Sequence, residues 1–129
     1  MAEKTKNQRT SDFGENVVCK YLVRNGYKIL FRNYYEKLDE IDIIARSFDR
    51  TLIFVKVKTL KEFNSLNLKP EDNLTKDKFK KLSRACRIFA RSHPELLDEN
   101  KGWRIDLVAV TMNDPDENVS ANHYENIYF

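Results

Sequence analysis

Apolar residues recur along the chain with two periods, and the switches between them mark out its elements. From Ser11 to Gly26, Phe13, Val17, Val18, Tyr21 and Leu22 share one side of a helical wheel, which predicts a first helix. Asp12 can cap it, with Glu15 three residues on, and Asn25-Gly26 supplies a stop. Glu15 falls between Leu22 and Cys19 on the buried flank, while Asn16, Lys20 and Arg24 form the wet side. Residues 1–11 then read as a polar basic tail and 12–129 as a single domain.

The period changes to two over YKILFRNYY (27–35), which predicts a first strand, and over 40–58, which predicts two strands joined by a turn around Ser47 to Arg50. Alternation puts Ile41 and Ile43 on one face of the second strand and Glu40, Asp42 and Ile44 on the other. In the third strand Leu52, Phe54, Lys56 and Lys58 share a face, so two ammonium groups lie side by side in its middle. Residues 60–74 carry loop signals without a period.

Thr75 opens a second helix running to about Ser92, with Phe79, Leu82, Cys86 and Phe89 at helical spacing and His93-Pro94 ending it. Its opposite face carries Lys80, Arg84, Arg87 and Arg91, a basic stripe that reads either as a solvated face or as a track for phosphates. WRIDLVAVT (103–111) predicts a fourth strand, 113–122 a polar turn region and 123–129 a fifth strand. The order αβββαββ predicts an α/β fold, a mixed central sheet flanked by helices.

Composition narrows the class without naming a function. The chain has 129 residues, enough for one core without staples, and 41% hydrophobic content, which suits a globular domain. A net charge of +3 is too small to demand a polyanionic partner, so the placement of the basic residues carries more information than their sum. Cys19 and Cys86 sit in helical apolar patterns without metal-ligand spacing, and read as small buried thiols suited to a reducing compartment. No apolar run reaches the roughly 18 residues of a membrane span, and the N-terminal segment lacks the apolar stretch of a signal peptide, so the expectation is a cytoplasmic protein.

Metal-assisted hydrolysis of a phosphodiester needs carboxylates for the ion, a cation to steady the phosphate and a group to orient water. The second and third strands offer Asp42 as the carboxylate, Lys58 as the cation and the Val57 backbone carbonyl as a further oxygen ligand. Glu40 lies about 6.6 Å along the strand from Asp42, within reach of a shared site. Glu15 fits two roles, the capping-box acid or an acid of the same site. Asp106 suggests no role beyond a structural one, and neither His93 nor His123 has a partner in sequence that would make it a metal ligand.

The stretches GENVVCKYLVRNGYKILFRNYY, DEIDIIA, LIFVKVK, the helix beginning near Lys76, RIDLVAV and HYENIYF together resemble the UPF0102 (YraN-like) family. That resemblance implies the restriction-endonuclease-like PD-(D/E)xK fold, related to archaeal Holliday junction resolvases. It also implies endonuclease chemistry with Mg²⁺ or Mn²⁺, on DNA and above all on structured or branched DNA. By the resemblance Glu15, Glu40 and Asp42 fall on the family's acidic positions and Lys58 on its catalytic lysine. A homodimer is also in keeping with resolvase-like folds, although no seam is readable in the chain.

The chain departs from the family pattern at one place that matters. The pattern reads F-V-E-V-K, and this chain reads Phe54-Val55-Lys56-Val57-Lys58, so a lysine stands where a second metal-binding acid is expected. A protonated lysine has no lone pair and repels a cation. Three roles stay open for Lys56: an ammonium paired with Asp42 in place of a metal, a bystander to an ion held by the remaining acids, or a guard of an exposed sheet edge. The first of these would leave a non-catalytic nucleic-acid-binding or assembly module on the same fold. A milder departure is Asp39, where the family usually has glycine.

Overall fold

The computed structural model describes residues 6–37, 39–61, 74–113 and 118–128. The elements run α1 (Lys6–Arg24), β1 (Lys28–Glu36), β2 (Asp39–Arg46), β3 (Leu52–Lys61), α2 (Lys76–Ser92), a 3-10 turn (Pro94–Leu96), β4 (Trp103–Asn113) and β5 (Asn118–Tyr124). The strands form one sheet in the order β1-β2-β3-β4-β5, in which β3 and β4 are parallel and the other neighbours antiparallel. Parallel neighbours need a long crossover, and α2 lies within the one that joins β3 to β4. The expected order αβββαββ and the mixed sheet between helices are therefore present, an α/β arrangement of the restriction-endonuclease-like kind.

Each face of the sheet has its own core. On one, Leu82, Cys86 and Phe89 of α2 pack with Ile41, Ile44, Leu52 and Phe54. On the other, Val18 and Leu22 of α1 pack with Ile43, Ala45, Ile53, Val55, Val108 and Val110. Phe89 anchors the first, meeting Phe31, Tyr34 and Phe54 edge-on, the geometry aromatic quadrupoles favour. Thr75 caps α2 as its sequence suggests, its side chain accepting the Lys78 N–H at 3.2 Å. Cys19 and Cys86 are both free, and burial pushes both thiols up.

Three boundaries differ from the sequence reading. Helix α1 starts at Lys6, not Asp12, because no helix breaker lies between them; Asp12 is interior and Glu15 is not a capping-box acid. The helix comes so close to the sheet at Gly14 that a Cβ there would lie 1.9 Å from Thr59 Oγ1. Strand β3 continues to Lys61, leaving 62–73 of the expected loop outside the described residues. The fifth strand spans Asn118–Tyr124 rather than 123–129, since β4 runs on to Asn113 and pairs with a polar edge strand. Beyond it the chain turns at Asn126, with φ 52, and Ile127 donates its N–H to the Ile105 carbonyl at 2.8 Å.

A fourth difference positions the site. In β2, Ile41 shares the α2-side core with Ile44, while Ile43 joins the α1-side core, so the expected pairing of Ile41 with Ile43 on one face is broken. The same break occurs in β1, where Phe31 and Tyr34 both meet Phe89. Between the ladder pairs Arg32↔Ile43 and Tyr34↔Ile41 stand Asn33 and Asp42, and Asn33 has φ 52, the left-handed conformation that asparagine tolerates better than most residues. The left-handed residue of β1 thus stands opposite the point where β2 changes face, in a strand that also shifts register between Ile29 and Phe31.

Candidate functional site

The pairing of β2 with β3 runs from Arg46↔Leu52 to Ile43↔Val55, whereas β3 stays paired with β4 as far as Lys61↔Met112. Strand β2 thus parts from β3 at Asp42, and the fork exposes backbone that a continuous ladder would have used. Asp42 fills part of it: its Oδ2 accepts the Val57 N–H at 2.8 Å. Glu40 precedes it on β2, and Glu15 arrives from α1, 4% exposed. One carboxylate oxygen from each of Glu15, Glu40 and Asp42 lies within 4.8 Å of the others. The sequence-predicted acids are therefore brought together, including the one whose local motif pointed to a cap.

The surrounding groups are donors and cations. Lys56 Nζ lies 3.5 Å from Asp42 Oδ2, with the lysine side chain 35% exposed and the aspartate 9%. Arg32 lies 3.7 Å from Glu15 and donates to Asn16 Oδ1 at 2.9 Å. The Asn33 amide, with its nitrogen toward the acids, donates to Glu40 Oε1 at 2.8 Å and to both Glu15 oxygens at 3.0 Å. Lys58 sits half-buried further along β3. Burial, then the charges of Lys56 and Lys78, hold its ammonium below the usual lysine range.

Crowding shows in the acids as well. Burial first, then the neighbouring charges of Asp42 and Glu40, raise Glu15 above the usual carboxylate range, against the opposing pull of Arg32 and Asn33. Glu40 is raised by burial and Asp42, against Lys56 and a hydrogen bond with Tyr35. Three hard oxygen donors gathered within 4.8 Å suit an Mg²⁺- or Mn²⁺-sized cation, which commonly uses only a carboxylate or two from the protein. The Lys56 ammonium and the neutral Asn33 amide offset only part of the charge of three carboxylates. The donor set therefore fits a divalent cation, with Glu15, Glu40 and Asp42 to hold it and the Val57 carbonyl as the expected further oxygen.

An open cleft adjoins the acids, lined by Asp39, Glu40, Lys56, Leu74, Lys78, Lys81 and Leu82. Lys78 and Lys81 of α2 were not singled out by sequence. They lie three residues apart in the first turns of α2, beside Leu82 and off the line of the longer stripe. The stripe residues Lys80, Arg84, Arg87 and Arg91 are all exposed. Arg84 is engaged with Asp39 at 3.1 Å, so Asp39 ties α2 to β2 and stays out of the three-acid group.

At the other end of the sheet Asp106 is fully buried, and its role is structural. Its oxygens accept from Arg104 Nε at 3.0 Å, His123 Nε2 at 2.7 Å and the Asn126 N–H at 2.9 Å. His123 Nδ1 lies 2.8 Å from the Tyr21 hydroxyl, which links α1, β4, β5 and the C-terminal turn. Burial pushes the Asp106 carboxyl up, but these hydrogen bonds and the Arg104 charge together hold it below the usual range.

Comparison with known proteins supplies a family and no activity. Residues 14–110 match the model of "Uncharacterised protein family UPF0102", the span from Gly14 almost to the end of β4. A UPF0102 protein of Roseiflexus castenholzii is 33% identical over 92% of this chain and 91% of its own length. One of Syntrophomonas wolfei is 30% identical over 95% of this chain and 99% of its own, and one of Thermotoga maritima 35% identical over 88% and 92%. No described helix is long and apolar enough to cross a membrane.

Proposed function

The chain belongs to the UPF0102 family, and from the geometry of its site we propose that it is a divalent-metal-dependent endonuclease of structured or branched DNA. The observation that carries this reading is the convergence of Glu15, Glu40 and Asp42 from two elements to within 4.8 Å. Bound Mg²⁺ or Mn²⁺ would polarise the scissile phosphate and supply a nucleophilic water near neutral pH. The protein's own residues have separable tasks. Asp42 is fixed by the Val57 N–H, which keeps its carboxylate at the mouth of the fork. Lys58, half-buried on β3 beside Lys56, serves as the cation for a phosphate oxygen.

The cleft lysines Lys78 and Lys81, with the exposed stripe of α2, suit the phosphate backbone. Contacts of this kind position a duplex without reading its sequence. The preference for a junction or a flap over a linear duplex rests on the resolvase-like character of the fold.

A second reading rests on the 3.5 Å separation of Lys56 and Asp42. In it the lysine neutralises the site and the protein binds DNA without cutting it. The deciding experiment is cleavage of labelled branched and linear DNA with Mg²⁺ or Mn²⁺ by the natural chain, Asp42→Asn and Lys56→Glu. Cleavage by the natural chain, abolished in Asp42→Asn, is the expected result. Cleavage by Lys56→Glu alone would favour the binding reading, and its partner measurement is salt-dependent, chelator-tolerant DNA binding.

A further inference from the structure

Asn33 is not among the acids or lysines that the family resemblance singles out, yet it touches two of the three acids. It reaches them because it is left-handed in the middle of β1, opposite Asp42. A residue held in that conformation within a strand costs backbone energy, and here it stands where the alternation of two strands breaks. The consequence is that a primary amide, rather than an aliphatic or aromatic side chain, stands between Glu15 and Glu40.

A carboxamide has two nearly isosteric ends of opposite polarity. Between bare carboxylates the nitrogen must face them, and it then makes contacts of 2.8 Å to Glu40 and 3.0 Å to each Glu15 oxygen. Half a turn about the last side-chain bond puts Oδ1 at the same point. Around an ion with oxygen ligands at about 2.1 Å in octahedral array, neighbouring oxygens are about 3.0 Å apart. The separations that Asn33 keeps from the two glutamates are therefore hydrogen bonds with the amide one way round and ligand-to-ligand edges with it the other way.

We propose that Asn33 is a reversible amide of the metal centre: its nitrogen holds Glu15 and Glu40 together in the free protein, and its oxygen joins them as a neutral ligand when a divalent cation binds. This rests on the metal-dependent reading of the site. It offers a way for a chain that carries Lys56 in place of an acid to retain a sufficient oxygen set without a further negative charge.

The test uses the full chain and Mn²⁺ as the probe, with binding measured by calorimetry and thermal unfolding measured in chelator and in Mn²⁺. Asn33→Gly removes the side chain while accepting φ 52, and Asn33→Asp keeps an oxygen but loses the donor. Expected is a loss of Mn²⁺ affinity on the order of tenfold in Asn33→Gly, the scale seen when groups around a metal are removed. Asn33→Asp should bind Mn²⁺ at least as tightly as the natural chain, yet melt lowest of the three in chelator and gain most from the ion. That crossing of signs is not produced by a residue that only shapes the strand. Unchanged Mn²⁺ affinity in Asn33→Gly, or equal weakening in both variants, would overturn the amide's role alone. Absence of Mn²⁺ binding by the natural chain would overturn the metal-dependent reading and this inference with it.

Discussion

Replacing Lys56 by glutamate asks whether its ammonium stands in for a cation. The Lys56–Asp42 separation is 3.5 Å, with the lysine a third exposed and the aspartate nearly buried. At that distance two unit charges interact by about 1 kcal/mol in bulk water and about 5 kcal/mol at an effective dielectric constant of 20. Solvent screening and the cost of ordering a lysine bring the net value down to about 1–2 kcal/mol. Lys56→Glu removes this attraction and adds a repulsion of similar size against Asp42, for a total loss of about 2–4 kcal/mol. A domain of this length loses about 3–5 °C of Tm per kcal/mol, so the variant should melt roughly 6–20 °C lower in chelator.

Divalent metal should reverse much of that loss. An ion present at 100 times its Kd stabilises the folded form by about 2.7 kcal/mol. The variant has regained the acid that the family pattern expects, so its Mg²⁺-induced rise in Tm should exceed that of the natural chain. The assay is thermal unfolding of both proteins in chelator and across an Mg²⁺ series. A variant as stable as the natural chain in chelator would show that the ammonium compensates nothing. Equal destabilisation with and without Mg²⁺ would show that Lys56 acts by packing, and the idea of a stand-in cation would be wrong.

Three further outcomes follow from particular contacts. Gly14→Ala places a methyl against Thr59 Oγ1, where 1.9 Å is available, and should cost about 1–3 kcal/mol in denaturant unfolding, largely recovered by adding Thr59→Ala. Asp106→Asn leaves Arg104 and His123 without the charge that satisfies them, and should cost about 3 kcal/mol in the same measurement. Glu15 and Glu40 are raised in the folded state, which therefore holds more protons than the unfolded chain from their ordinary value of 4.5 up to their folded values. In that window their contribution to stability falls as pH rises and then levels off. The stability difference between the natural chain and Glu15→Gln, followed against pH in chelator, should shift accordingly in favour of the variant, and Mg²⁺ should erase the shift.

What could be read from the chain alone divides along a physical line. Features set by local periodicity were legible: α2 from its apolar stripe and Thr75 cap, the Ser47–Arg50 turn, and the shared face of Leu52, Phe54 and Lys56. Glu15 was ambiguous because Asp12 and Glu15 imitate a capping box, and the imitation fails only because the helix runs back to Lys6. Nothing near Glu15 in sequence decides between a cap and a site; Asn33, Glu40 and Asp42 do. The faces of β2 depart from simple alternation for a related reason. Alternation is a property of regular strands, and it is suspended in β1 and β2 where Asn33 stands opposite Asp42. A trace was present, since a lone asparagine between Arg32 and Tyr34 is the residue type that tolerates φ above zero, but only the partner strand shows what the irregularity is for. His123 and Asp106 are a different case: they meet directly at 2.7 Å across neighbouring strands, a pairing set by the β4–β5 register and by no local pattern in the sequence. In this protein the regular parts of the sheet carry the core. The three acids of the candidate site gather where regularity fails, at the fork of β2 and β3 beside a left-handed asparagine.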